Sequence, residues 1–229
     1  MLLAVPDGVV RQTAEKIARL KPGPLVSVIH LSGALGLDVL APLVGTGSFH
    51  PLQSVPEPRG PEAFRGITVA VDASTLRLRR RLARLARDLG ATPRHVDDAS
   101  RVRYHAAAVF ASNFVDVLIA EAASLLEEAG WTQGDAVKAL TPLVEGTLLS
   151  IRRRGPVRAL TGPIRRGDAD TVRRHLEAIG TGTRADLYRM LGAIALEIAR
   201  EAGLEPAAAE RVNRALTRKV AATRRRQRR

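Results

Sequence analysis

Val28-Ile29-His30-Leu31-Ser32-Gly33, answered twenty residues later by Ser48-Phe49-His50-Pro51-Leu52-Gln53-Ser54, decides how this chain folds. In each stretch a short apolar run of strand character gives way to a loop that opens with an imidazole. In open α/β sheets the crevice beyond the carboxyl ends of the strands is where ligands bind. Two histidines, a hydroxyl and a carboxamide delivered at strand ends are therefore expected to face one cleft. Met1-Leu2-Leu3-Ala4-Val5 reads as another strand, placed at the very start of the sequence.

Composition narrows the classes. The 229 residues are 45% hydrophobic but only 3% aromatic, so the core has to be built from Leu, Val, Ile and Ala. With no cysteine there are no disulfides, thiolate metal sites or Cys nucleophile. No signal peptide is recognisable, and no run of about 18 uncharged apolar residues suggests a membrane span, so a cytoplasmic protein is expected. The net charge of +13 is concentrated at one end: residues 211–229 hold nine basic residues and no acid, leaving +4 for the rest. A terminal arginine run is read as a solvated basic tail, residues 223–229, and no specific nucleic-acid partner is expected.

Outward from the two motifs, the first hundred residues alternate strands and helices, the signature of a mostly parallel sheet. Leu2–Val5, Leu25–Ile29, Gly47–Phe49 and Ile67–Val71 read as strands, with Arg94–Val96 as an edge strand. Helices are predicted over 8–20, over 36–44 and over the stretch where Leu78, Leu82, Leu85 and Leu89 lie opposite six arginines between 77 and 87. After Asp97-Asp98 the chain turns wholly helical, with predicted helices at 101–129, 135–154, 168–179, 184–202 and 206–222. The glycines between them read as stops. This divides the chain into an α/β domain, residues 1–98, and an α-helical domain, residues 99–222.

The glycine pairs do not make a phosphate cradle. Gly45-Thr46-Gly47 lacks a third small residue, since His50 stands there, and Gly180-Thr181-Gly182 lies between helices rather than between a strand and a helix. His30 and His50 are candidates for the cleft. His105 and Ser112, seven residues apart on a predicted helix, fall nearly in line, with Asn113 beside them, making a polar stripe on an Ala/Val/Phe surface. No close helical histidine pair supports a metal, and none is expected. Asp168 is placed to cap a helix, and Arg166 sits in a loop suited to an anion.

Four ordered motifs carry a resemblance. They are Val28-Ile29-His30-Leu31-Ser32-Gly33-Ala34; Ser48 to Ser54; Tyr104-His105-Ala106-Ala107-Ala108 with Ser112-Asn113; and Leu160-Thr161-Gly162-Pro163-Ile164 with Arg166-Gly167-Asp168. Over residues 1 to about 200 the chain resembles a bacterial family that joins a Rossmann-like N-terminal domain to an α-helical domain of unknown function. That family is similar to ketopantoate and pyrroline-carboxylate reductases. The resemblance implies hydride transfer from NAD or NADP to a small carbonyl or imine held between the two domains. Val5, Pro6, Ser32 and Gly33 would touch the cofactor. His30, Ser32, Gln53, Ser112, Thr161 and Arg166 would hold substrate, and His50, His105 and Asn113 would be catalytic. The relatives' catalytic Lys, one turn before Asn113, is Val109 here, leaving His50 or His105 as proton donor. Family members carry a Gly-rich nucleotide-binding half ahead of the segment matching Leu2 to Asp7, so the fold is expected to be a partial, N-terminally truncated Rossmann-like sheet, or one read from a misplaced start. A homodimer through the helical domain is also expected. The alternative reading is a non-catalytic, dimeric helical interaction module.

Overall fold

The computed structural model describes residues 1–218; the basic tail at 223–229 and the last residues of the helix predicted over 206–222 lie outside them. The chain forms two compact units, residues 1–116 and 117 onward.

In the first unit the order is β1 (Leu2–Leu3), α1 (Asp7–Arg19), β2 (Val28–His30), β3 (Thr46–Pro51), β4 (Thr68–Ala73), α2 (Leu76–Asp88), β5 (Thr92–His95) and α3 (Asp98–Ala111). The five strands form one sheet in sequence order, with β1–β2, β2–β3 and β4–β5 parallel and β3–β4 antiparallel. Side chains alternate across a sheet with a period of two, and this sorts the residues onto two faces. Ile29, Gly47, Phe49, Val69 and Val71 share one face, which packs against Leu78, Leu82 and Ala86 of α2. Burying a leucine stabilises by about 1.5–3 kcal/mol, which is why the arginine-rich α2 is held by one narrow stripe. Val28, His30, Thr46, Ser48 and His50 share the opposite face. There α1 contributes Val10, Ala14 and Ile17 beside Leu3 and Val28. This α/β sheet followed by helices is the fold class expected.

Several boundaries differ. β1 is two residues, not four, because Pro6 already starts α1 as its N-cap. The helix predicted over 36–44 is a single 3-10 turn, Leu37–Leu40. The helix predicted over 101–129 is two helices, α3 and α4 (Asn113–Glu128), broken where Ser112 leaves helical geometry (φ −126°, ψ −74°). Short polar side chains such as Ser and Asn favour helix ends over interiors. The most apolar 18 residues within Asp98–Glu128 have a mean hydropathy of 1.6, enough to cross a membrane by length and composition alone, although Arg101, Arg103, Asp116 and Glu121 leave no uncharged run of 18 residues in the segment. The run reaches that value because it is Ala, Val, Phe and Leu with few charges.

The second unit continues with α5 (Gln133–Ala159), α6 (Gly162–Arg166), α7 (Ala169–Ile179), α8 (Thr183–Glu201) and α9 (Pro206–Thr217). Gly155 (φ 75°, ψ 164°) is non-helical and breaks α5 into two helical stretches, at the stop read from sequence. α6, read from sequence as loop, is one short turn with Pro163 in its first turn and Gly167 left-handed after it. Val172, Leu176, Leu196, Val212 and Leu216 form the core among α7, α8 and α9. Asp168 caps α7 by accepting from the Thr171 amide, as predicted.

Candidate functional site

The face of the sheet carrying His30, Ser48 and His50 sets the site. His30 pairs in register with Ser48, so the histidine of one motif lies beside the strand of the other. Two residues further along β3, His50 emerges at the carboxyl end of the strand. Helix α3, capped by Asp97 through the Ser100 amide, lies over this face and places Arg101, Tyr104 and His105 within little more than one turn. Arg101 is completely buried and donates from one terminal nitrogen to Ser48 Oγ (2.7 Å) and to the Val96 carbonyl (3.0 Å). Tyr104 Oη lies 2.8 Å from His50 Nδ1. The ring of His50 is also edge-on to His105, with centroids 6.2 Å apart.

Gly33 closes this arrangement from the β2 side. A Cβ there would lie 2.8 Å from His105 Nδ1 and from His50 Cε1 and Nε2. Only a residue without a side chain lets both imidazoles come this close to the backbone. Ser32 is buried, donates its hydroxyl to Asp7 Oδ2 (2.7 Å), and accepts from the amides of Ala34 and Leu35. Its hydroxyl is thus committed to shaping the loop. Val5 and Pro6 lie exposed at the end of β1.

A cavity of about 720 Å³ opens beside these groups, lined by His50, Gln53, Tyr104, His105, Ser112 and Asn113 among others. Five residues assigned from sequence therefore meet at one cavity. His30 does not line it: its side chain is fully buried beneath, and neither ring nitrogen has a hydrogen-bond partner. Thr161 and Arg166 line a separate cavity of about 590 Å³ in the helical unit, with Arg158 and Arg165. Sequence reasoning missed Tyr104 and Arg101 as site residues, although Tyr104 stands inside a quoted motif and Arg101 one helical turn before it.

The electrostatics favour neutral imidazoles. Burial pushes His30 down to about 4, and the Arg101 charge adds to this against the opposing pull of Asp7, the Gly36 backbone and Asp98. His50 is lowered by burial first, then by His105 and Arg101, with Asp7 opposing. Burial raises Tyr104, while Arg101 acts the other way. A neutral imidazole beside a protonated phenol and a carboxamide can hydrogen-bond a carbonyl or imine and supply it with a proton. Among the described residues no group of three acidic or histidine side chains is placed to hold a metal ion.

Such a sheet, with a polar cavity off its strand ends and a helical unit after it, defines a Rossmann-like α/β fold followed by helices. The chain belongs to the family described as Domain of unknown function (DUF2520), whose model matches residues 67–195. Its fold is similar to that of protein TM1727 from Thermotoga maritima (TM-score 0.74, 24% identity, covering 87% of this chain and 78% of that one). It is also similar to a provisionally named NADP oxidoreductase, BF3122, from Bacteroides fragilis (0.68, 22%, 88% and 73%). A more distant likeness is to 1-pyrroline-5-carboxylate reductase from Streptococcus pyogenes (0.51, 14%, 94% and 73%). No curated protein matches the chain significantly.

Proposed function

We propose that the protein is an NAD(P)-dependent oxidoreductase that reduces a small carbonyl or imine, with His50, His105 and Asn113 at the reacting centre. The observation that carries this reading is the convergence of His50, Gln53, Tyr104, His105, Ser112 and Asn113 on one cavity beyond the strand ends. The name of one structural neighbour, an NADP oxidoreductase, supports the cofactor class, and that of another, a pyrroline-carboxylate reductase, supports the cyclic-imine substrate. Val5, Pro6, Ser32 and Gly33 are the residues that the resemblance assigns to the cofactor; none of them lines the cavity, and the space over Gly33 is taken by the two imidazoles. When bound, the cofactor would supply hydride.

The chain's own groups supply the rest. Gln53, Ser112 and Asn113 would orient the substrate by hydrogen bonds. His50, neutral by burial, would hold a proton on Nε2 while Nδ1 accepts from Tyr104, and would release it as negative charge develops on the substrate. His105, whose buried Nδ1 has no protein partner, is the second candidate donor. His30 would act from beneath. Thr161 and Arg166 line the separate cavity of the helical unit, where they would hold an anion. A cytoplasmic location follows from the cofactor class.

The helical unit leaves Leu143, Leu148, Leu149, Met190, Leu191 and Ile194 exposed. Apolar exposure of this kind on a folded surface favours association, and a second copy of the chain is the proposed cover. The test of the whole reading is NADPH and NADH binding followed by turnover of a panel of 2-keto acids and cyclic imines. Binding of neither nucleotide, with a stable dimer in solution, would favour a non-catalytic helical interaction module instead.

A further inference from the structure

Two hydrogen bonds run in parallel between β3 and α3. Ser48 and His50 are two apart on one strand face, and Arg101 and Tyr104 are three apart on one helix face, so Ser48–Arg101 (2.7 Å) and His50–Tyr104 (2.8 Å) are successive rungs of one ladder. The lower rung is unusual. Its guanidinium is wholly buried, its Nε and Nη1 make no hydrogen bond, and its one ion pair, Nε to Asp98 at 3.6 Å, is with a half-exposed carboxylate. A buried arginine is ordinarily paired, because an uncompensated charge in the interior is costly. A strut needing only to hold Ser48 would be served by a neutral side chain.

We propose that Arg101 is a positioning residue: pinned beneath the ladder by Ser48 and the Val96 carbonyl, its positive charge adds to burial and His105 in keeping His50 uncharged, while Tyr104 on Nδ1 directs the ring hydrogen to Nε2. The inference rests on the reading of His50 as a proton donor. The groups facing His50 are Arg101, Tyr104 and His105 from α3, His30 from β2 and Asp7 from the start of α1; its β4 neighbour, Ala70, is uncharged. Asp72, opposite Ser48, is engaged with His95. Of these groups, Asp7 is the one that favours the imidazolium, and Arg101 opposes it at His30 as well as at His50. In the proposed tautomer the Tyr104 hydroxyl donates to Nδ1. The hydrogen on Nε2 then lies along Gly33, where both imidazoles meet the bare backbone.

The experiment is a pH titration of nitrogen-labelled imidazoles by NMR on the full chain without cofactor. His50 is assigned through His50→Gln, and Arg101→Met is compared with Arg101→Lys. Expected in the unmodified protein is a His50 midpoint below the ordinary imidazole value, with the Nε2–H tautomer. Arg101→Met should raise the midpoint and mix the tautomers, whereas Arg101→Lys should hold both near their starting values. Where Arg101→Met does not fold, Arg101→Gln, which keeps an amide donor and drops the charge, takes its place. A purely structural arginine would lower stability and leave the titration unmoved. That result overturns the proposal, as does a starting midpoint at or above the ordinary value, or a lysine variant that shifts as far as the neutral one. No outcome depends on nucleotide binding, so failure of the oxidoreductase reading would show separately in the binding assay.

Discussion

His50 Nδ1 and the Tyr104 hydroxyl are 2.8 Å apart, with their rings perpendicular and centroids 5.6 Å apart. The contact joins the end of β3 to the first turns of α3 and fixes the orientation of an imidazole that lines the cavity. If His50 gives a proton to the substrate, His50→Gln should lower turnover by roughly the 10²–10⁴-fold typical of a lost general acid. Tyr104→Phe should cost about tenfold, the worth of one hydrogen bond of about 1.4 kcal/mol. Steady-state kinetics with NADPH checks both. Equal losses in His50→Gln and His105→Ala would divide the role between the two imidazoles.

Gly33→Ala should disturb the site more than the fold. The added methyl would meet His50 and His105 at 2.8 Å, and the His50 ring is held from its other side by Tyr104. Overpacking of this kind costs about 1–3 kcal/mol. The expected result is a modest fall in thermal midpoint with a larger fall in cofactor or substrate affinity. An alanine variant with unchanged kinetics would mean that the two imidazoles can move aside freely.

His30 should make the protein acid-sensitive well before its carboxylates titrate. Its folded value of about 4 lies below the unfolded value of about 6.5, so between these pH values the unfolded chain binds the extra proton. The contribution is complete above about pH 6.5, is lost progressively as pH falls towards 4, and then levels off. A difference of this size corresponds to about 3 kcal/mol. Urea midpoints measured across the window should fall accordingly, and His30→Leu should flatten that slope. A wild-type midpoint constant from pH 7 to 4.5 would contradict it.

The exposed leucines of the helical unit make the oligomeric state a sharp test. Leu148→Glu together with Ile194→Glu places charges where both native side chains are about half exposed or more (57% each). Such changes should leave a monomer's stability nearly untouched but dissociate a dimer built on this surface. Sedimentation of the wild-type chain as a monomer at micromolar concentration would remove the second copy from the proposal.

Local pattern alone made the alternation of strands and helices legible, because periods of two and 3.6 are written directly into which positions are apolar. It placed His30 and His50 at strand ends and Leu78 and Leu82 on the buried stripe of α2, whereas Leu85, read onto the same stripe, is exposed and Ala86 is buried instead. It also put Thr161 and Arg166, five residues apart, into one loop region, and they line one cavity. What pattern could not supply was pairing across long separations. The antiparallel return of β4 onto β3, the break at Ser112, and the docking of α3 depend on how finished elements pack. Tyr104 meets His50 across 54 residues and Arg101 meets Ser48 across 53. An arginine three residues before a tyrosine, with Arg103 between them, looks in sequence like any solvated helix charge. Only the tertiary fold, by closing α3 over the histidine face of the sheet, turned it into a buried cation beneath the site.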